Sequence, residues 1–214
     1  MMEGMYSLGD FPLQSGVVLS DAKLAYETHG ELNSDRDNVI VYPTWASGRH
    51  ADHRPLIREG AALDPTKYFI VVPDMFCNGL STSPSNALPP HEGPRFPLVT
   101  PYDNVIAQHR LVTEHFGVTR IQLVVGFSMS GQQAFHWGAL HSDIVDRICA
   151  ICGSAKTSPH NWAYLAGLQA IFESAEGWDG GECETWPDGL RRALTRIGMM
   201  MALSPDLFRE GEHL

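Results

Sequence analysis

Clustered positive charge, long apolar runs and cysteine are what this chain has least of. Its 214 residues carry 15 Lys+Arg against 25 Asp+Glu, for a formal net charge of -10. The cations are scattered, with no basic run. Nucleic acids and anionic membrane surfaces are bound through clustered Lys and Arg, so neither is an expected partner. No stretch approaches about 18 uninterrupted apolar residues, the length a membrane-spanning helix needs. Met1 to Asp10 holds no basic segment leading into an apolar one and does not read as a secretory signal. Four cysteines (Cys77, Cys149, Cys152 and Cys183) are too few for a disulfide scaffold in a chain of this size. The cytoplasm is therefore the expected compartment.

Cys149-Ala-Ile-Cys152 has C-x-x-C spacing but lies in the apolar run Arg147 to Gly153, which reads as a strand. Positions three apart on a strand face opposite sides, so the pair is expected to be two small buried hydrophobes. No metal site and no bound cofactor are expected. The chain also lacks internal repeats and low-complexity segments.

What is present is a globular composition, 43% hydrophobic and 19% charged. Residues 9 to 30 alternate short apolar runs with Ser-Gly and Ser-Asp, predicting an antiparallel hairpin or meander. Asn38 to Tyr42 and Tyr68 to Val72 are short β-branched runs ended by Pro43 and Pro73, as buried central strands are. A short helical pattern covers 54–63, and 74–99 is a long loop rich in Pro, Gly and Asn. Thr100-Pro101-Tyr102-Asp103 has the N-cap, N1 proline and first-turn acid of a helix start. That helix is expected to run to about His115, its face traced by Val105, Gln108, Leu111, Val112, His115 and Phe116, and to close at Gly117. A strand at 121–126, a helix at 129–141 and a strand at 147–152 follow. Beyond Gly153 the pattern is helical, near 160–174 and 188–203, joined through Gly177 to Gly181. Leu190, Leu194, Ile197 and Met201 repeat at helical spacing, as core or lid packing does. Strand–helix alternation predicts an α/β fold, a mostly parallel sheet with helices on both faces. Residues 1–154 form its core, with six strands, and 155–214 a helical subdomain.

The rest is organised around Ile121-Gln-Leu-Val-Val-Gly126-Phe127-Ser128-Met129-Ser130-Gly131. A serine between small residues, where a strand gives way to a helix, has the form of a nucleophile elbow. Ser128 is the expected catalytic nucleophile, because only it has Gly two residues before it. Ser130 stands where G-x-S-x-G has its second Gly. The oxyanion of an acyl-transfer intermediate needs two N–H donors. The backbone N–H groups of Met129 and of Trp45, the latter in the loop after strand 38–42, are expected to supply them. Thr44, Phe127 and Asp74 are candidate pocket residues. The base is harder to place. In this architecture an acid and then a His follow the serine, each after a later strand. His136 and His141 sit on the elbow helix, His160 opens the helical segment, and His213 is penultimate. His50 and His53, upstream, lie near the active edge. The expectation is therefore a truncated form of a longer enzyme that lacks its acid and base.

Several stretches then occur in a recognisable order. They are Leu63-Asp-Pro-Thr-Lys-Tyr-Phe-Ile-Val, Asn78-Gly-Leu-Ser-Thr-Ser-Pro-Ser, Gly93-Pro-Arg-Phe-Pro-Leu-Val-Thr and Asp103-Asn-Val-Ile-Ala-Gln-His-Arg-Leu. The elbow Gly126-Phe-Ser-Met-Ser-Gly-Gln-Gln-Ala-Phe-His-Trp and Trp178-Asp-Gly-Gly complete the set. By these the chain resembles the homoserine O-acetyltransferase family of α/β-hydrolase-fold enzymes. The resemblance implies ping-pong transfer, Ser128 taking an acyl group from acetyl-CoA or another acyl-CoA and passing it to an alcohol. It implies a lid beginning at residue 155 and a catalytic Asp and His beyond that lid; the expected partner is a small-molecule substrate, with a homodimer left open. Two departures bear on the acceptor. One is Ser130. The other is Leu165-Ala-Gly-Leu-Gln-Ala-Ile171, where homoserine-using members hold the amino-acid carboxylate with an Arg and this chain has no cation. Burying a carboxylate without one is costly. An esterase or lactonase on the same fold, with water as acceptor, is the alternative, and an inactive fragment the second alternative.

Overall fold

The computed structural model describes residues 1–176, 178–182 and 188–210. It divides into two compact units, 1–155 and 156–214. The first is built on one six-stranded sheet in the order β1-β2-β4-β3-β5-β6. Its strands are β1 (Met2–Pro12), β2 (Val18–His29), β3 (Val39–Val41), β4 (Phe69–Pro73), β5 (Ile121–Phe127) and β6 (Ile148–Ile151). The hairpin β1–β2 and the pair β2–β4 are antiparallel. From β4 through β3 and β5 to β6 every pairing is parallel.

That parallel half explains the continuous apolar runs. Val39, Val41, Val71, Ile121 and Val124 enter one core with Val105 from the helix α1 (Pro101–Arg110), Leu111 just past its end, and Ala134 and Trp137 from the helix α2 (Met129–Leu140). Ile40, Tyr42, Ile70, Val72 and Val125 face the other way into a second cluster with Ile57 and Leu63. Successive side chains of a strand point to opposite faces, so a strand covered on both sides must be apolar throughout. The start of α1 is as its residues predict: Thr100 Oγ1 accepts from Asp103 N, and the Asp103 carboxylate accepts from Thr100 N at 2.8 Å. The helix continues past Arg110 as a π-turn, Leu111–His115, and ends at Gly117 with φ 64°.

Four expectations change. The hairpin begins at Met2 rather than near residue 9, because its first residues are carried by pairing with β2 while their side chains stay largely in solvent. The helical stretch placed at 54–63 is a 3-10 turn at His50–Leu56. Pro55 sits within it, and Gly60 at φ 76° turns the chain before it could extend. Among the described residues no strand pairs with β6 on its far side, and its side chains are largely exposed where its apolar run predicts burial. Cys149 and Cys152 are accordingly exposed free thiols rather than buried hydrophobes, and Cys152, at φ 52°, lies just past the strand's end.

In the second unit, α3 (Pro159–Glu173) is capped by Ser158, whose hydroxyl accepts from Asn161 N. It packs on α4 (Asp188–Ala202), and α5 (Pro205–Arg209) follows. Leu190 is buried and Leu194 and Ile197 half-buried, while Met201 is exposed, so the helical stripe is shorter than its spacing suggests. Cys183, His213 and part of the Gly177–Gly181 connection lie outside the described residues. No described helix is long and apolar enough to cross a membrane.

Candidate active site

Because β4, β3, β5 and β6 run parallel, their carboxyl ends share one edge of the sheet. Pro43–Ser47, Asp74–Asn78 and Ser128 all leave from it. Ser128 joins β5 to α2 with φ 57° and ψ -122°, a conformation a residue with a Cβ rarely adopts. The small neighbours are obligatory. A Cβ on Gly126 would stand 2.2 Å from the carbonyl carbon and oxygen of Ser130, and one on Gly153 would stand 2.8 Å from Ser128 O. Ser128 N donates to Ile151 O at 2.8 Å, tying the elbow to the end of β6. The Ser128 side chain is half-buried, and its hydroxyl bonds to no described residue.

Ser130 fills its place differently. It is fully buried, and its hydroxyl donates to Pro43 O at 2.5 Å. It is thereby committed to the backbone, which leaves Ser128 as the available hydroxyl. The N–H groups of Met129 and Trp45 donate to no described residue. The Trp45 ring stacks on His53 (centroids 4.3 Å, 27°) and meets Phe127 edge-on at 6.1 Å. Phe127 is 43% exposed beside the elbow, where a pocket wall would stand.

Thr44 and Asp74 follow β3 and β4 at this edge. Both are fully buried. The Thr44 hydroxyl accepts from Met75 N at 2.9 Å, and its role is to bind two loops together. Asp74 accepts from His50 N, from His50 Nδ1 at 2.5 Å and from Asn78 Nδ2 at 2.7 Å. Burial raises its pKa, and the hydrogen bonds from His50 oppose the rise. The cavity at this edge, about 230 Å³, is instead lined by Ala46, Ser47, Met75, Asn78, Thr100 and Met129, among others. It includes one expected oxyanion donor and the neighbours of the other. Residues such as Met75 and Thr100 reach it only because separate strands end at one edge, which nothing in their local sequence signals.

His50 with Asp74 looks like the base-and-acid half of a triad, but it faces away from that task. Its Nε2 lies 3.7 Å from Glu3 Oε1 and 3.9 Å from Glu27 Oε2. Arg54 completes this cluster, donating to Glu27 through Nε and Nη2 and to Glu3 through Nη2 at 2.6 Å. Burial works to raise the pKa of Glu27, but Arg54, His29 and His50 together hold it below the ordinary carboxylate range. Glu3, Glu27 and His50 are close enough to share a metal ion, yet the Arg54 guanidinium already supplies the positive charge between the two glutamates. His53 is fully buried, both ring nitrogens facing carbonyls (Arg49 O and Pro43 O), and burial lowers its pKa. Neither histidine is placed as a base for Ser128.

A profile described as "alpha/beta hydrolase fold" matches residues 37–179. An ethyl acetate hydrolase of Pseudomonas veronii is 38% identical over 213 residues, 98% of this chain and 61% of its own length. A homoserine O-acetyltransferase of Methanococcoides burtonii is 33% identical over 192 residues, 81% of this chain and 39% of its own. The crystal structure of the acetyl esterase MekB superimposes with a TM-score of 0.93 at 37% identity, covering 100% of this chain and 63% of MekB. This chain thus spans about three fifths of the length of the esterases it matches. With the profile covering more than half of the residues and the strained serine at the β5–α2 joint, the chain belongs to the alpha/beta hydrolase fold family.

Proposed function

We propose that the protein hydrolyses small carboxylic esters through an acyl-enzyme on Ser128. The observation that carries this is the elbow: an unbonded Ser128 hydroxyl held at φ 57°, with the free N–H of Met129 next to it and that of Trp45 on the neighbouring strand end. In the first step Ser128 Oγ bonds to the ester carbonyl carbon and loses its proton to a base. The resulting oxyanion takes the Met129 and Trp45 N–H groups, and the C–O bond to the alcohol breaks as the alcohol is protonated. Water then attacks the acyl-enzyme and releases the acid and Ser128. The cavity of about 230 Å³ suits a short acyl chain. The resemblance in sequence implies that the acid and base follow the lid.

Hydrolysis is preferred to transfer onto homoserine for two reasons. The esterase match is both higher in identity and wider in coverage than the acetyltransferase match. In addition, Leu165–Ile171 offers no cation for an amino-acid carboxylate. Acyl transfer from acetyl-CoA remains the second reading, favoured by the matches at 33% identity. A fluorophosphonate should add once to the protein, at Ser128, and Ser128→Ala should abolish the adduct. p-Nitrophenyl acetate should be turned over without CoA, and acetyl-CoA with homoserine should yield no O-acetylhomoserine. Failure of the adduct would overturn the nucleophile assignment, and accumulation of O-acetylhomoserine would overturn the choice of water as acceptor.

A further inference from the structure

We infer that Gln133 and Ser130 are positioning residues that fix the oxyanion donor on Trp45 from the elbow helix itself. The inference rests on the reading of Trp45 N–H as that donor. Two successive carbonyls of the loop after β3 are held by α2. Ser130 Oγ donates to Pro43 O at 2.5 Å, and Gln133 Nε2 donates to Thr44 O at 3.1 Å. A trans peptide is planar, with its C=O and N–H pointing in opposite directions. Holding Thr44 O therefore sets the direction of the Trp45 N–H. The same helix begins with Ser128 and Met129, so nucleophile and both donors are referred to a single rigid element. This gives a physical account of Ser130, the one departure from G-x-S-x-G: a Gly there would leave Pro43 O without its short hydrogen bond from the helix.

The direction of the Gln133 amide is dictated from further away. Trp137 Nε1 can only donate, and it donates to Gln108 Oε1 at 2.9 Å. Gln108 must then present its NH₂, which donates to Gln133 Oε1 at 2.6 Å. Gln133 is left with its NH₂ toward the loop, where it meets Thr44 O and also Met75 Sδ at 3.0 Å. Trp137, Gln108, Gln133 and Ser130 are each fully buried, so no bulk water substitutes for a lost member. A single donor-only indole thus orients two amides and, through them, one catalytic peptide.

The test uses the full-length protein, in which the resemblance implies an acid and a base after the lid, and compares the wild type with Gln133→Leu, Trp137→Phe and Gln132→Leu, the last making the same chemical change one residue away on α2. The readouts are the rate of fluorophosphonate addition to Ser128, kcat and KM with p-nitrophenyl acetate, and the carbonyl ¹³C shift of Thr44 with the amide ¹⁵N shift of Trp45. Removing an oxyanion donor outright costs on the order of 10²–10³ in rate. Gln133→Leu, which leaves the donor present but unaimed, should slow addition and kcat at least 10-fold with KM within about 2-fold, and should move both shifts. Trp137→Phe keeps the ring in the core but frees both amides to reverse, and should show the same pattern at smaller size. Gln132→Leu should match the wild type. The inference is overturned if Gln133→Leu and Trp137→Phe fold and react at the wild-type rate, or if the Thr44 and Trp45 shifts stay put. Should Gln133→Leu not fold, Trp137→Phe decides by the same criteria. If the full-length wild type does not react at Ser128, the esterase reading has failed; unmoved shifts in the variants would then sink the positioning role separately, and moved shifts would uphold it.

Discussion

The strain at Ser128 should be measurable as stability. At φ 57° and ψ -122° its Cβ is held in a sparsely populated backbone region, a cost on the order of 1–3 kcal/mol. Ser128→Ala keeps the Cβ and the strain and removes a hydroxyl that bonds to no described residue, so it should melt with the wild type. Ser128→Gly removes the Cβ and releases the strain. It also gives the unfolded chain more freedom, worth about 0.4–1 kcal/mol against folding. At the middle of both ranges, about 2 kcal/mol of strain less about 0.7, Ser128→Gly is more stable than Ser128→Ala by roughly 1 kcal/mol. For a chain of this size that is a rise in Tm of about 2–4 °C. The assay is a pair of thermal melts followed by circular dichroism on the two variants at one pH. A Ser128→Gly Tm at or below that of Ser128→Ala would refute the reasoning, because it would mean the elbow stores no strain.

Two further outcomes follow from the same geometry. Gly126→Ala should destabilise by about 1–3 kcal/mol, toward the upper end because its methyl group would meet backbone atoms of Ser130 at 2.2 Å rather than a movable side chain; an unchanged denaturant midpoint with undiminished Ser128 labelling would contradict this. His141 stacks on His109 at 3.9 Å, and burial, with the His109 charge, pushes its pKa down to about 4. The unfolded chain then takes up this proton near pH 6.5 while the folded one resists until about pH 4, so stability should fall as pH is lowered through that window. His141→Leu should flatten that part of the stability curve, and an unaltered curve would show that His141 does not titrate as described.

Much of the fold was readable because its determinants are local. The β-branched runs at Val39–Val41 and Phe69–Pro73 had to be buried strands, and Thr100 with Asp103 had to start a helix. Exposure was harder to read. The run at Ile148–Ile151 is as apolar as the central strands, yet among the described residues only β5 pairs with it, and a strand's neighbours are not written in its own residues. The histidines misled for a related reason. His50 sits close in sequence to the active edge, but the direction of its ring depends on Glu3, Glu27 and Asp74, contributed by three different strands or their ends.

The elbow divides along the same line. That Ser128 stands in a strained turn between small residues follows from its neighbours alone, since the clash of a Cβ at Gly126 involves only residues four apart. That the Ser130 hydroxyl and the Gln133 amide grip the backbone of Pro43 and Thr44, 87 and 89 residues earlier, was decided only when β3 and β5 paired in parallel and brought their carboxyl ends together. Steric exclusion along the chain needs no partner, whereas the aim of a hydrogen bond depends on which distant acceptor the sheet delivers.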